Sequence, residues 1–432
     1  MSKRAAVRDG KQENVVAPSI AMQQLMLPLL LAVDATKRGL LAFVQQMGLV
    51  VLQELLATEA TAIAGPKGKH ARERTHHHWG SARTSLAFGG RNAIIERPRV
   101  RARGKGKKGE VELPSIAALR DDDPMSVRVA EQIVLGVSTR GYARSLEPVD
   151  DELETRGASK SNTSRALIDA TGDKLAAFAS RKLDEVDLVA MFIDGIEIAK
   201  HAVVIALGVT IDGTKVPLGI WAGSTENHVV ATALLQNLVE RGLRVDGPVL
   251  FVIDGGKGLR KALRDVFGNR AVVQRCQLHK LRNLKGHLSE ARRAYVARQM
   301  RDAYQSQTAA TAKKKLLQLA AWLESNGEDS AAASLREGLD ETLTVLRLGL
   351  PKTLCRTFST TNAIENMNGT LRRVTRNVKR WRNEAMIRRW VALAVAEAQR
   401  GFRRVKGHRA MHTLVAALRP STKAVASERK VA

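Results

Sequence analysis

The chain has 432 residues, 44% of them hydrophobic, enough for several packed domains and far from a disulfide-stapled miniprotein. Lys and Arg number 70 against 43 Asp and Glu, a net charge of +27 that calls for a polyanion, an acidic surface or another acidic partner. The apolar run at 25–33 contains Pro28 and falls far short of the roughly 20 residues of a spanning helix, so no membrane protein is expected; the first basic cluster lies well upstream of that run and no clear small-residue cleavage site follows it, so no signal peptide is expected, and with only Cys276 and Cys355 a reducing cytoplasmic setting is.

In chain order, residues 1–18 are polar and aperiodic, and the apolar spacing over 20–64 predicts two helices, so 1–68 reads as an N-terminal helical region. Residues 69–120 read as a small basic strand and loop segment, with a turn at Gly89-Gly90 and a short strand at 93–100. The His76, His77, His78 run is expected in a solvated basic loop: adjacent imidazoles point in different directions and no Cys is near to complete a metal site.

Residues 121–183 read as a helix-turn-helix-like DNA-binding region. A helix over 127–136 is followed by two pieces, 138–146 and 158–167, that each open on capping Ser or Thr. The second presents Lys160, Asn162 and Arg165 in its first turns, Lys160 suited to phosphate and the other two to base edges. An ordinary capped helical pair accounts for the same pattern equally well.

From 184 the pattern changes to strands. Apolar runs at 188–196, 202–211 and 215–221, the last two joined by Asp212-Gly213, predict a strand and a hairpin. A helix over 226–243, a fully apolar strand at 249–253 ending in Asp254-Gly255-Gly256, a helix over 258–267 and a strand at 271–276 complete an α/β segment, 184–280. Residues 281–355 then read as an all-helical insertion. Residues 356–418 resume the core with a capped helix from Ala363 that carries Glu365, and 419–432 read as a disordered tail.

Asp194 and Asp254 are expected beside glycines at the C-terminal ends of neighbouring parallel strands, where active sites of open α/β sheets lie. With Glu365 on a later helix they form an oxygen-ligand set suited to two Mg²⁺ or Mn²⁺ ions against a phosphodiester. Either aspartate alone would be an ordinary turn residue; the pair, in this strand order, favours the metal reading.

These residues carry a resemblance. The strand order is similar to that of ribonuclease-H-like folds, and Asp194, Asp254 and Glu365 fall where DDE transposases and integrases of that fold keep their metal ligands. The blocks Val252-Ile253-Asp254-Gly255-Gly256-Lys257-Gly258-Leu259, Gln274-Arg275-Cys276-Gln277-Leu278-His279-Lys280-Leu281-Arg282-Asn283 and Thr360-Thr361-Asn362-Ala363-Ile364-Glu365 resemble signature blocks of bacterial insertion-sequence transposases of the Mutator-like family. The match runs over roughly residues 136–376 and is loose before 120; Ile196-Glu197 after Asp194-Gly195 departs from the commoner pattern.

The resemblance implies an α/β protein with a ribonuclease-H-like catalytic core, an all-α insertion and mainly helical DNA-binding domains before it. It implies Mg²⁺-dependent cleavage and strand transfer at the element's terminal inverted repeats and a target DNA. Asp194 would bridge both ions, and a homodimer would hold two ends in a bacterial, nucleoid-associated setting. A structure-specific nuclease that cuts without joining and a non-catalytic helix-turn-helix regulator are the rival expectations. Cys276 and His279 supply only two zinc ligands, so a closed zinc site is disfavoured; the resemblance makes them supports of the active site, the alternative being a buried thiol and a surface imidazole. Arg372, Arg373 and Arg376 open a run of eight basic residues reaching Arg389 against one acid, Glu384, and are expected on DNA phosphates. Trp381 and Trp390 within it fit base stacking and helix packing alike.

Overall fold

The computed structural model describes residues 40–69, 73–104, 109–121, 124–147, 149, 154–198, 201–223 and 228–419; the expectations for 1–39 and for the tail beyond 419 lie outside them. The chain forms two compact units, Met1–Met125 with Ala143–Ser159, and Ser126–Tyr142 with Lys160–Ala432.

In the first unit, helix α1 (Leu40–Ala64) packs on a sheet built around the hairpin β1 (His76–Phe88) and β2 (Arg91–Ala102). The connecting Gly89 and Gly90 have φ of 56° and 86°, the left-handed conformation that tight hairpin turns require. Short strands β3 (Glu110–Val111) and β4 (Thr155–Arg156) both pair with β2. Leu56, Ala60, Leu86, Ile95, Val100, Leu113 and Ile116 form the core. Helix α2 (Pro114–Asp121) is held at its start by Glu59, which accepts hydrogen bonds from the Ser115 amide and hydroxyl. The three histidines are not in a loop. They open β1, paired with Ala102, Arg101 and Val100, and His78 Nε2 lies 2.8 Å from the Gly65 carbonyl. The pairing imposed by the glycine turn runs back along β1 to them, and a composition count cannot register that.

The second unit starts with most of helix α3 (Pro124–Val134). Residues 138–146, expected to be helical, form turns and one 3₁₀ turn, Ala143–Ser145. Helix α4 (Lys160–Ser180) begins where the sequence placed it, but it follows the short strand β4 and packs on α15 (Glu384–Arg400). Two helices joined by a turn of roughly three or four residues, the helix-turn-helix requirement, are therefore not what 138–167 form.

The central sheet has the order β7-β6-β5-β8-β9, from β5 (Leu188–Ile198), β6 (His201–Thr210), β7 (Lys215–Gly223), β8 (Val249–Ile253) and β9 (Ala271–Arg275). The first three are antiparallel, and β5, β8 and β9 run parallel. Gly213, with φ of 82°, makes the β6–β7 turn, and the Asp212 carboxylate locks it by accepting from Thr210 and Thr214; these bonds hold Asp212 down at about 2.

Side chains alternate across a strand, so Met191, Ile193, Phe251 and Ile253 point to the face covered by α5 (His228–Glu240) and α6 (Lys257–Phe267), where Leu234, Leu235, Leu238, Ala262 and Leu263 complete the main core. Phe192 points the other way and stacks on Phe358 of α13 (Lys352–Phe358), with ring centroids 5.7 Å apart. On that side α14 (Asn362–Thr375) also meets β5, and α15 packs on α14 and β7. Between β9 and α13, helices α7 (Gln277–Gly286), α8 (Glu290–Tyr304), α9 (Ala309–Ser325), α10 (Asp329–Arg336), α11 (Leu339–Thr342) and α12 (Thr344–Arg347) enclose a separate core that includes Leu284, Val296, Met300, Leu316, Leu323 and Leu335. Helix α16 (Met411–Leu418) closes the described chain.

Candidate active site

The parallel ladder between β5 and β8 ends at the pair Ile193 and Ile253. Asp194 and Asp254 are the next residue of each strand, so the register sets them side by side. The two differ in one respect from expectation: β8 stops before Asp254, whereas β5 continues to Ile198 because β6 still pairs with it, opposing Asp194 with Ile205. Asp194 thus stands within a strand, on the Phe192 side, which is the side covered by α13 and α14. Asp254 leads a turn in which its Oδ1 accepts the Gly256 amide at 2.8 Å, and Gly255 has φ of 105°.

Asn368 on α14 is fully buried and donates from Nδ2 to Asp194 Oδ2 at 2.8 Å, while its own Oδ1 is buried without a partner. Burial and then the neighbouring Asp254 charge push the Asp194 carboxyl up to about 6; Glu365 adds to the rise, and His279 and the Asn368 amide oppose it.

Glu365 is held by Thr361. As the residue before α14, Thr361 would ordinarily cap the helix with its hydroxyl, but that hydroxyl donates to Glu365 Oε1 at 2.8 Å. The same Oγ1 lies 3.4 Å from Cys276 Sγ and 3.3 Å from His279 Nδ1, and the Thr361 amide also points at the sulfur at 3.4 Å. On the far side of the imidazole, Nε2 is 3.8 Å from Glu365 Oε1 and 3.2 Å from Arg282 Nη1, and Arg282 is itself 3.7 Å from Glu365. Cys276 and His279 reach this place because α7 begins directly after β9: Cys276 precedes the helix, its amide bonded to the Ile253 carbonyl at 2.7 Å, and His279 is in the first turn. Burial pushes the Cys276 thiol up, yet hydrogen bonds with His279 and Thr361 outweigh it and leave the thiol below its usual value. The bond to Cys276 raises His279 despite its desolvation, with Asp194 and Glu365 adding to the rise.

The donor set suits a hard divalent cation. Asp194 and Asp254 end neighbouring strands, and the charges of Asp254 and Glu365 raise Asp194, a repulsion that a bound cation would relieve. As they stand, no three His, Cys, Asp or Glu side chains among the described residues are close enough together to hold a metal ion. Glu365 in particular is turned toward Thr361, His279 and Arg282.

The chain matches the model of the family "Transposase, Mutator family" over residues 23–405. It belongs to that family of transposases. The transposase for insertion sequence element ISRM5 of Rhizobium meliloti (strain 1021) is 31% identical over 288 residues, covering 64% of this chain and 69% of that protein. The transposase for IS905 of Lactococcus lactis subsp. lactis (strain IL1403) is 28% identical over 279 residues, 63% of this chain and 68% of its own, and that for IS256 in transposon Tn4001 of Staphylococcus aureus is 25% identical over 289 residues, 64% and 71%.

In this Mutator-family transposase the basic candidates lie on two helices of the second unit. Lys160 and Arg165 on α4 are exposed, and Arg165 Nη2 donates to the Asn162 carbonyl oxygen at 2.6 Å, so the two expected base readers hold one another. Arg372, Arg373 and Arg376 are exposed on and just after α14; Arg373 is 3.6 Å from Glu397 and donates to the Val134 carbonyl. Trp381 and Trp390 meet edge to face at 6.4 Å. Thr361, Asn368 and Arg282, which the structure places on the acidic side chains, are not among the candidates that the sequence singles out. A buried polar pair one helical turn apart from Glu365 was the available signal. Among the described residues no helix is long and apolar enough to cross a membrane.

Proposed function

We propose that this transposase cuts DNA at the ends of its insertion sequence and joins the freed strand to a target, with Asp194, Asp254 and Glu365 as the acidic centre of a ribonuclease-H-like core. The observation that carries the reading is that Asp194 within β5 and Asp254 just past β8 stand side by side where the parallel ladder ends, with Glu365 close enough to raise the Asp194 carboxyl. The sheet, with three antiparallel strands followed by two parallel ones in the order β7-β6-β5-β8-β9, supports that core. Asp194, Asp254 and Glu365 would hold Mg²⁺ or Mn²⁺, which supplies charge neutralisation at the phosphate and a lowered pKa for an attacking water or 3′-hydroxyl.

The chain's own residues do the rest. Asn368 fixes the rotamer of Asp194. Thr361 and His279 hold Glu365 in reserve, and its closing on the other two requires release from Arg282. The exposed Arg372 and Arg376 line the approach of the phosphate backbone, and Lys160 on α4 offers a further phosphate contact. Two ends must be handled together, so the working form is at least a homodimer on paired DNA ends.

Asp194→Asn, Asp254→Asn and Glu365→Gln should each lower Mg²⁺-dependent cleavage of an end-containing duplex by more than about 100-fold while leaving DNA affinity largely intact. Near-normal cleavage by any of the three removes that residue from the centre. Supplying a labelled 3′-hydroxyl end and a target plasmid then separates a transposase, which joins them, from a nuclease that only cuts.

A further inference from the structure

Arg275 is the last residue of β9, only 5% exposed, and it occupies the space between the Asp254 turn and the helical insertion. A side chain on Gly255 would overlap it, with Arg275 Cδ and Cζ both 2.7 Å from the added Cβ; a side chain on Gly338, at the start of α11, would meet Arg275 Nη1 at 2.8 Å. Both glycines have positive φ, 105° and 62°, so the backbone on each side of the guanidinium is already in a conformation that other residues resist. Nη1 donates to the Glu337 carbonyl at 3.0 Å and lies 3.5 Å from the Glu337 carboxylate, whereas Nε, which faces Gly255, is buried without a partner.

The surrounding bonds fasten the same stretch of the insertion to β9 and to α7, the helix that follows it. The fully buried Lys280 ammonium donates to the carbonyls of Ser334 and Glu337. Gln274 and Gln277 both donate to the Thr342 carbonyl at 2.9 Å, the Val345 amide donates to Gln274 Oε1 at 2.8 Å, and the Thr344 hydroxyl donates to the Val273 carbonyl at 2.7 Å. On the surface, Arg260 pairs with Glu341 at 3.1 Å. Of these groups, Arg275 is the buried one that packs against Gly255 in the turn that carries Asp254; on the surface Lys257, the residue after that turn, also lies 3.8 Å from the Glu337 carboxylate. A buried charge on a planar, rigid fork suits that task, because its position is dictated by the carbonyl it must satisfy.

We propose that Arg275 is a positioning residue: docked on residues 337–338 of the insertion, it packs against Gly255 and holds the Asp254–Gly256 turn so that the Asp254 carboxylate stays beside Asp194. The helical insertion thereby acts on the reaction through one guanidinium, far in sequence from the aspartate it steers. The inference rests on the catalytic reading of Asp254 made above.

The test compares Arg275→Lys, Gly338→Ala, Thr344→Val and Asp254→Asn in the full chain. Arg275→Lys keeps the buried charge but not the fork; Gly338→Ala pushes on Nη1 from the insertion side and leaves Arg275 in place; Thr344→Val removes one fastening bond that does not reach the turn. Four readouts are taken: melting temperature, DNA affinity, single-turnover cleavage at saturating DNA with Mg²⁺, and hydrogen exchange of the Gly256 amide, which is bonded to Asp254.

For Arg275→Lys and Gly338→Ala the saturated cleavage rate should fall about 10- to 100-fold, as misplacement of a reacting group by about 1 Å does, with DNA affinity within about twofold of the parent. Gly256 exchange should quicken roughly tenfold in both, because the turn opens more often. Thr344→Val should lose melting temperature and keep cleavage within about twofold. If Arg275→Lys fails to fold, Gly338→Ala decides alone. The proposal is overturned by parent-like cleavage or parent-like Gly256 exchange in a folded variant. It is equally overturned if Thr344→Val slows cleavage as much, since docking in general would then be the cause. Should the parent itself prove unable to cleave DNA, or Asp254→Asn cleave normally, the catalytic reading falls, while the exchange measurement still decides whether Arg275 holds the turn.

Discussion

Asp194 sits on a strand face that α13 and α14 bury, beside another carboxylate, and its proton is held up to about 6 against an ordinary 3.8. The folded chain therefore binds this proton more tightly than the unfolded chain. Below about pH 4 both states are protonated and Asp194 costs nothing; between about pH 4 and 6 the unfolded chain gives up this proton while the folded chain keeps it, and the penalty grows to about 3 kcal/mol, its full value above 6. His279, raised by Cys276 and by the acidic neighbours, works in the same direction, since the stability it contributes when protonated is lost on deprotonation. In EDTA the protein should melt at a lower temperature at pH 7 than at pH 5. Asp194→Asn should melt higher than the parent at pH 7 and show a weaker pH dependence. Calorimetry across that range checks it, and an Asn variant no more stable than the parent at pH 7 would refute the picture of a strained, repelling carboxylate cluster. On the catalytic reading proposed above, this is the charge that a bound cation would neutralise.

Helix α14 shows how one element serves two purposes at the next scale. Its buried side carries Ile364, Met367, Leu371 and Val374 with Asn368 among them, and the spacing of these leaves Glu365 at the edge of the burial and Arg372 and Arg373 outside it. The three arginines are not equivalent, because Arg373 is engaged with Glu397 and Val134 whereas Arg372 and Arg376 have no side-chain partner among the described residues. Replacing Arg372 and Arg376 together by Gln should weaken binding to any duplex and flatten the salt dependence of affinity by about two phosphate equivalents. Adding Arg373→Gln should change the slope little and the melting temperature more. Titrations at several salt concentrations measure both, and an unchanged slope for the double variant would return this helix end to an ordinary solvated face.

Across the whole molecule, charge and core are distributed differently. The net charge of +27 belongs to the full sequence, but the main cores are local: one in the first unit, one around the central sheet and one inside the helical insertion, with no residue shared among them. The acidic residues and every group that touches them come from residues 188–368, within a single unit. A fragment of residues 160–419 should accordingly fold and melt as a cooperative α/β protein by circular dichroism and calorimetry. A broad, non-cooperative transition would mean that the sheet depends on residues outside that span.

What the sequence determined by itself is what local pattern can encode. The five apolar residues of β8 followed by Asp254, the Asp-Gly turn between β6 and β7, and the place where α14 begins were legible because each needs only neighbours in the chain. The family was legible from three short blocks for the same reason, and the match over 23–405 bears it out. Tertiary structure decided the rest. His76 to His78 became strand because a hairpin partner 22 or more residues away pairs with them, and 138–146 lost its expected helix. Thr361 became a junction among Cys276, His279 and Glu365 instead of a cap only when the chain between them folded away to bring Cys276, 85 positions earlier, to it. Asn368 met Asp194 across 174 residues, and Arg275 met Gly338 across the insertion. Periodicity reports which face of an element is buried; which side chain waits on the other side of that burial depends on packing between elements, and that was settled only in three dimensions.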